Sequence, residues 1–202
     1  MSIVTTIPRG WEASDIGDLT GKSFLITGGT SGIGKEAALE LARAGAHVTI
    51  TARDAVKGAA VVAEIAKERV DFKLLDLTDL ASVKNFAKEF TKPVDVLILN
   101  AGVMATPFSL TKDGFEMQMG TNHLGHFALA GLLREKVSER IVAVSSQMHR
   151  AARVSGITED ELRNRCRGIG AYNPWSAYAL SKLANLLFIH EFERRSTRNG
   201  WG

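Results

Sequence analysis

The sequence predicts an α/β protein built on a doubly wound parallel sheet, and three observations carry that prediction. Short apolar runs alternate with amphipathic helical patterns along 202 residues, as strand–helix–strand crossovers require. The first run, 23–27, leads straight into Thr27-Gly28-Gly29-Thr30-Ser31-Gly32-Ile33-Gly34 and then into a helical period. Thr27, Arg53, Asp76, Asn100 and Ser145/Ser146 fall at the carboxyl ends of successive runs, the edge where such sheets bind ligands.

Residues 1–20 hold Pro8, Gly10 and Gly17 without a sustained period, and read as a surface arm fastened by Trp11. Residues 21–202 read as one domain. A helix over 33–44 sets Ile33, Ala37, Ala38, Leu41 and Ala44 on one face, and Gly45 ends it. The β-branched run 47–51 makes the second strand and is followed by Ala52-Arg53-Asp54. A helix over 55–69 turns Val61, Val62 and Ile65 inward, and a third strand covers 72–75 and stops at Asp76. Asp79 caps the next helix, which carries Val83, Phe86 and Phe90. Pro93 separates it from strand 94–99, almost wholly apolar and suited to burial on both faces. After Asn100-Ala101-Gly102 come a loop over 103–113, a long helix over 114–135 and a fifth strand over 141–145. An irregular stretch, 147–175, holds one helical turn near 158–162. The last helix, 176–195, carries Leu180, Leu183, Leu187 and Ile189.

Bulk properties exclude several functions. The net charge of +3 is mild and not gathered into a basic block, so nothing points to nucleic acid. No apolar run approaches a membrane span, and no basic-then-apolar leader opens the chain; the expected location is the cytoplasm. One cysteine, Cys166, permits no internal disulfide and reads as a plain loop residue.

The glycines of the first motif have separate tasks. Gly28 takes the dihedrals of a tight turn, Gly32 lets backbone approach a pyrophosphate, and Gly34 lets the helix sit close to the strand. First-turn amides and the helix dipole then face phosphate anions. Tyr178 and Lys182, four apart on a helix, share a face. A phenol alone is a poor proton donor at neutral pH, and an ammonium one turn away stabilises its anion. One of Ser145 and Ser146, which point to opposite faces, can hold a substrate oxygen. His123 and His126 lack a carboxylate or cysteine companion at ligand spacing, which argues against a metal site.

In combination these motifs resemble the short-chain dehydrogenases/reductases over about residues 20–198. Thr27 to Gly34 looks like their TGxxxGxG fingerprint and Asn100-Ala101-Gly102 like their NAG motif. Val144-Ser145-Ser146 looks like the serine-bearing strand, and Tyr178-Ala179-Leu180-Ser181-Lys182 like YxxxK. Asn122-His123-Leu124-Gly125-His126-Phe127, with the long insert before Tyr178, is similar to the branch of retinol dehydrogenases, the WW-domain oxidoreductase and protochlorophyllide reductases. The resemblance implies a Rossmann-like sheet of order 3-2-1-4-5. It also implies a catalytic set of Asn122 (a proton-relay water), Ser146 rather than Ser145, Tyr178 as acid/base, and Lys182, which also holds the nicotinamide ribose. The dinucleotide would lie along Gly28, Thr30, Ser31, Gly32, Ile33, Gly34, Asn100, Ala101 and Gly102, reaching Tyr178 and Lys182. The resemblance further implies a homodimer through the helices at 114–135 and 176–195.

Cofactor choice rests on the second strand's end. Ala52 stands where an acid would bind the NAD ribose and Arg53 follows, an order that suits the 2′-phosphate of NADP, with NAD the alternative. Asp76 is placed for the adenine amine and Leu77 for packing on the ring. The expected activity is hydride transfer between NADP and a small carbonyl or alcohol substrate. The alternative is a non-catalytic nucleotide-binding or truncated, inactive relative. The chain ends soon after the Tyr178 helix, so the family's last two strands and substrate-covering segment are expected to be missing.

Overall fold

The computed structural model describes residues 9–65 and 69–199. Five strands, β1 (Ser23–Ile26), β2 (His47–Ala52), β3 (Val70–Leu74), β4 (Val94–Leu99) and β5 (Val137–Ala143), form one sheet of order β3-β2-β1-β4-β5. Every pairing is parallel. The order reverses between β1 and β4, which opens a crevice above their carboxyl ends.

Alternation along β1 divides the core. Phe24 and Ile26 join β2 and the small residues Ala38 and Ala42 of α1 (Gly32–Arg43), with Val61 of α2 (Ala55–Ile65), on one face. Leu25 points the other way, into a layer made with Val83 and Phe86 of α3 (Leu80–Glu89) and with Leu129 and Leu133. Opposite side-chain directions at successive strand positions produce the two layers. Asp79 caps α3 as expected, its carboxylate accepting from the amides of Ala81 (2.9 Å) and Ser82 (3.3 Å).

Several expected boundaries need correction. The helix expected over 114–135 begins only at α4 (Met117–Met119), because Gly114 has a positive φ of 78° and the Glu116 carboxylate caps the amides of Gln118 and Met119. It then runs through a π-helical segment, Gly120–Leu124, into α5 (Gly125–Leu133). The fifth strand starts at Val137 rather than 141 and ends at Ala143, before Ser145. Ser138, Glu139 and Arg140 hide that start, since among the described residues β5 pairs with β4 alone and its polar residues reach solvent. The turn near 158–162 is the two-turn α6 (Glu159–Cys166), fixed by a Thr158–Glu161 capping box. Cys166 is therefore the last residue of a helix, half-buried, and burial pushes its thiol up. The last helix, α7 (Pro174–Asn199), starts two residues early, with Pro174 at its first position and the Asn173 carboxamide accepting the Ser176 amide (2.9 Å). The expected end of the second helix falls on residues 66–68, outside those described, and Arg69 is not helical. Trp11 is 46% exposed; the arm is held instead by Leu19, whose amide bonds the Ala44 carbonyl (2.8 Å) while its side chain packs on the core.

Candidate active site

The turn after β1 and the start of α1 build one wall of a groove of about 320 Å³. Gly28 takes a φ of 69°, and Gly32 a φ of 55° with open space where a Cβ would stand. A Cβ on Gly34 would overlap the Asn100 side-chain amide and the Gly28 carbonyl. Ser31 makes no side-chain cap on α1, so the first-turn amides keep their capacity for an anion. Gly28, Thr30, Ser31, Ile33 and Gly34 line the groove, as do Arg53, Asp76 and Leu77 on its second side and Asn100, Ala101 and Gly102 at its far end. Gly32, Tyr178 and Lys182, also expected to hold the cofactor, are not among its lining residues.

At the end of β2 the adjacent side chains of Arg53 and Asp54 take different duties. The Asp54 carboxylate accepts from the amides of Val56 (2.7 Å) and Lys57 (3.2 Å), capping α2. Arg53 stays exposed at the groove. Asp76 Oδ1 accepts from the amide (2.9 Å) and hydroxyl (2.7 Å) of Thr78, which fixes the carboxyl at the groove wall.

A buried polar cluster closes the far end. Lys182 Nζ donates to the Val144 carbonyl (3.1 Å) and lies 5.7 Å from the Tyr178 ring centre. Desolvation holds the Lys182 ammonium below its usual range. Asn122, in the π-helical segment, clamps Val103 from both sides: its Oδ1 accepts the Val103 amide (2.8 Å) and its Nδ2 donates to the Val103 carbonyl (2.9 Å). Nδ2 also donates to the Ser181 hydroxyl (3.0 Å), which itself donates to the Tyr178 carbonyl (2.8 Å). A Cβ placed on Gly102 would come 3.1 Å from Asn122 Oδ1 and 3.6 Å from Lys182 Nζ. Gly102 thus joins the end of the groove to the cluster. The Ser145 hydroxyl donates to the Lys182 carbonyl (2.8 Å), tying it to α7. The Ser146 hydroxyl accepts the Met148 amide (3.2 Å) at the head of the following 3-10 turn.

Sequence reasoning passed over the groups that hold this cluster together. His126 is fully buried, and its Nδ1 donates to the Asn122 carbonyl (3.0 Å). A carbonyl can only accept, so Nε2, 2.8 Å from the Thr27 hydroxyl, accepts from it. Thr27 Oγ1 in turn accepts the amides of Asn100 (2.9 Å) and Ala101 (3.0 Å). Burial pulls the imidazole down to about 4. Asn185, also buried, donates to the Val144 carbonyl (3.1 Å) and meets His123 Nδ1 at 3.2 Å. Polar side chains at i, i+3, i+4 and i+7 (Tyr178, Ser181, Lys182, Asn185) marked that face; alone they read as a solvated stripe.

A short chain dehydrogenase family model matches residues 22–157. The chain belongs to the short chain dehydrogenase family. It is 46% identical to human retinol dehydrogenase 11 over 193 residues, covering 90% of this chain and 58% of that protein. It is 45% identical over 179 residues to a Streptomyces lividans protein named as an oxidoreductase, covering 85% of this chain and 58% of the relative. The chain therefore spans less than two thirds of the length of these relatives. Among solved structures, an uncharacterised protein from Mycobacterium paratuberculosis superposes with a TM-score of 0.86 at 48% identity, covering 95% of this chain and 68% of that one. The Pseudomonas aeruginosa RhlG/NADP complex gives 0.67 at 26% identity, covering 89% and 69%. Short chain dehydrogenases are nicotinamide-dependent oxidoreductases acting on small molecules, and that much holds for this chain's family. No described helix is long and apolar enough to cross a membrane.

Proposed function

We propose that this chain is the cofactor-binding and proton-handling part of an NADP-dependent oxidoreductase acting on a carbonyl or alcohol. The observation that carries the reading is Gly102, which meets the phosphate-type groove on one side and Asn122 and Lys182 on the other. A nicotinamide dinucleotide, when bound, supplies or accepts the hydride. The α1 amides and the glycine turn suit its pyrophosphate, and Arg53, exposed while Asp54 is engaged as a cap, suits a 2′-phosphate. The Tyr178 phenol gives a proton to the substrate oxygen in reduction and takes it back in oxidation. The Lys182 ammonium beside its ring favours the phenolate, and Asn122 fixes the Val103 backbone next to both. Ser146, free of the tie that binds Ser145 to α7, is the hydroxyl for the substrate oxygen. Relatives named retinol dehydrogenases put long-chain aldehydes such as retinal first in a substrate screen. The exposed apolar side chains Phe127 (55%) and Leu187 (59%), with Phe188 packed on Phe127 at 5.3 Å, offer a seam for a second copy.

The test pairs binding with turnover. NADPH should raise the melting temperature more than NADH, because a ligand stabilises only through the state it binds. Equal shifts would remove the Arg53 assignment. Tyr178→Phe should abolish aldehyde-dependent NADPH oxidation while leaving NADPH affinity nearly unchanged; persisting turnover would assign the proton to another group.

A further inference from the structure

The loop beyond Gly102 and the head of α7 are far apart in sequence, and one buried carboxamide joins them. Gln118 is completely buried, four residues before Asn122. Its Oε1 accepts the Ala105 amide (2.7 Å), and its Nε2 donates to both the Tyr172 hydroxyl (2.9 Å) and the Pro174 carbonyl (2.9 Å). Those partners fix which end is oxygen and which is nitrogen, since an amide N–H only donates and a carbonyl only accepts.

Each partner holds something near the site. Ala105 follows the Gly102–Val103 stretch that Asn122 clamps, and it is the non-glycine residue with a positive φ (49°) among those described. Such a conformation persists only where its surroundings enforce it. Pro174 opens α7 one turn before Tyr178. The Tyr172 hydroxyl donates to the Thr106 carbonyl (2.9 Å), one residue past Ala105, and lies 3.2 Å from the buried Glu116 carboxylate that caps α4. Gln118 thus brackets the groove-end loop, the segment carrying Asn122 and the helix carrying Tyr178.

We propose that Gln118 is a positioning residue that fixes the loop 102–105, at the nicotinamide end of the groove, against the helix bearing Tyr178. The proposal rests on the dinucleotide reading above. The planar Gln118 carboxamide supplies the one acceptor and two donors that these partners require. Gln118→Leu removes all three bonds, and Gln118→Glu sets a carboxylate oxygen against the Pro174 carbonyl. The adenosine side of the groove, around Arg53 and Asp76, makes none of these bonds and is untouched.

The experiment compares the affinity of the chain for NADPH with that for 2′,5′-ADP, which carries the adenosine half and lacks nicotinamide. In Gln118→Leu, NADPH affinity should fall by about tenfold, the size of effect expected when buried polar partners are stranded. The 2′,5′-ADP affinity should change by less than about twofold, and NADPH fluorescence should lose its binding shift. Asp79→Ala, which weakens the α3 cap away from the bracket, should keep both affinities. Should Gln118→Leu fail to fold, Tyr172→Phe, which removes one hydroxyl, decides the matter by the same selective loss at smaller size. Equal losses for both ligands, or no loss for either, overturn the proposal. A wild-type chain binding 2′,5′-ADP as tightly as NADPH also overturns it and leaves nucleotide binding standing. A wild-type chain binding neither overturns the proposal together with the dinucleotide reading.

Discussion

Lowering the pH from 6.5 to 4 asks His126 to take up a proton where its ring is fully buried and both nitrogens are engaged. The groups facing it are the Thr27 hydroxyl and the Asn122 carbonyl, while the Lys182 ammonium and His123 add nearby positive character that further disfavours imidazolium. The unfolded chain binds the proton near the ordinary histidine value of 6.5, and the folded chain resists until about 4. Unfolding therefore takes up a proton throughout that window. The stabilisation is complete above pH 6.5 and is lost progressively as the pH falls toward 4. At 1.36 kcal/mol per unit, two and a half units amount to about 3 kcal/mol, with a slope of roughly 1.4 kcal/mol per pH unit. Burial also lowers His123, which adds in the same direction. Asp79, Asp95 and Glu191 are held below the usual carboxylate range, so their losses come mainly at lower pH. Urea unfolding followed by circular dichroism from pH 5 to 7.5 measures the slope. Wild type should lose roughly 2 kcal/mol between pH 6.5 and 5. His126→Leu should be less stable at pH 7 by about 1–3 kcal/mol, because Thr27 and Asn122 lose their partner, yet flatter toward acid. Unchanged wild-type stability down to pH 5, or an equal slope in His126→Leu, would refute the reasoning.

Two further outcomes are expected. Asp79→Ala should cost about 1 kcal/mol through loss of the two α3 cap bonds, seen as a lower urea midpoint with unchanged m-value; a change below about 0.3 kcal/mol would mean that solvent replaces the cap. Gly34→Ala should destabilise by about 1–3 kcal/mol, because its Cβ would overlap the Asn100 side chain and the Gly28 carbonyl. It should weaken NADPH and 2′,5′-ADP alike, which titration calorimetry reads, and unaltered affinity would show that the turn yields without cost.

The strands were legible because each carries its own signal, a short apolar run with a polar end and a helix of matching period, whereas their order in the sheet followed from the family resemblance. The turn beside the groove was legible too, since Gly28 and Gly32 take a positive φ locally. Signals failed where a residue's environment is set by distant chain. The start of β5 reads as polar because only one neighbour covers it, although Val94 pairs with Val137 across a register shift at Val94/Val96. The π-helical segment leaves no mark in the periodicity of 114–135, and it holds Asn122.

What the sequence determined by itself is therefore the succession of strands and helices, the glycine turn after β1 and the Tyr178–Lys182 spacing, each read from residues close together in the chain. Tertiary structure alone decided that Asn122 grips Val103, that His126 reads Thr27 across the sheet, and that Gln118 joins Ala105 to Pro174. Of these long-range pairs, His126–Thr27 spans 99 residues and Gln118–Pro174 spans 56. A hydrogen bond selects its partner by position in space, and only the folded chain brings those positions together.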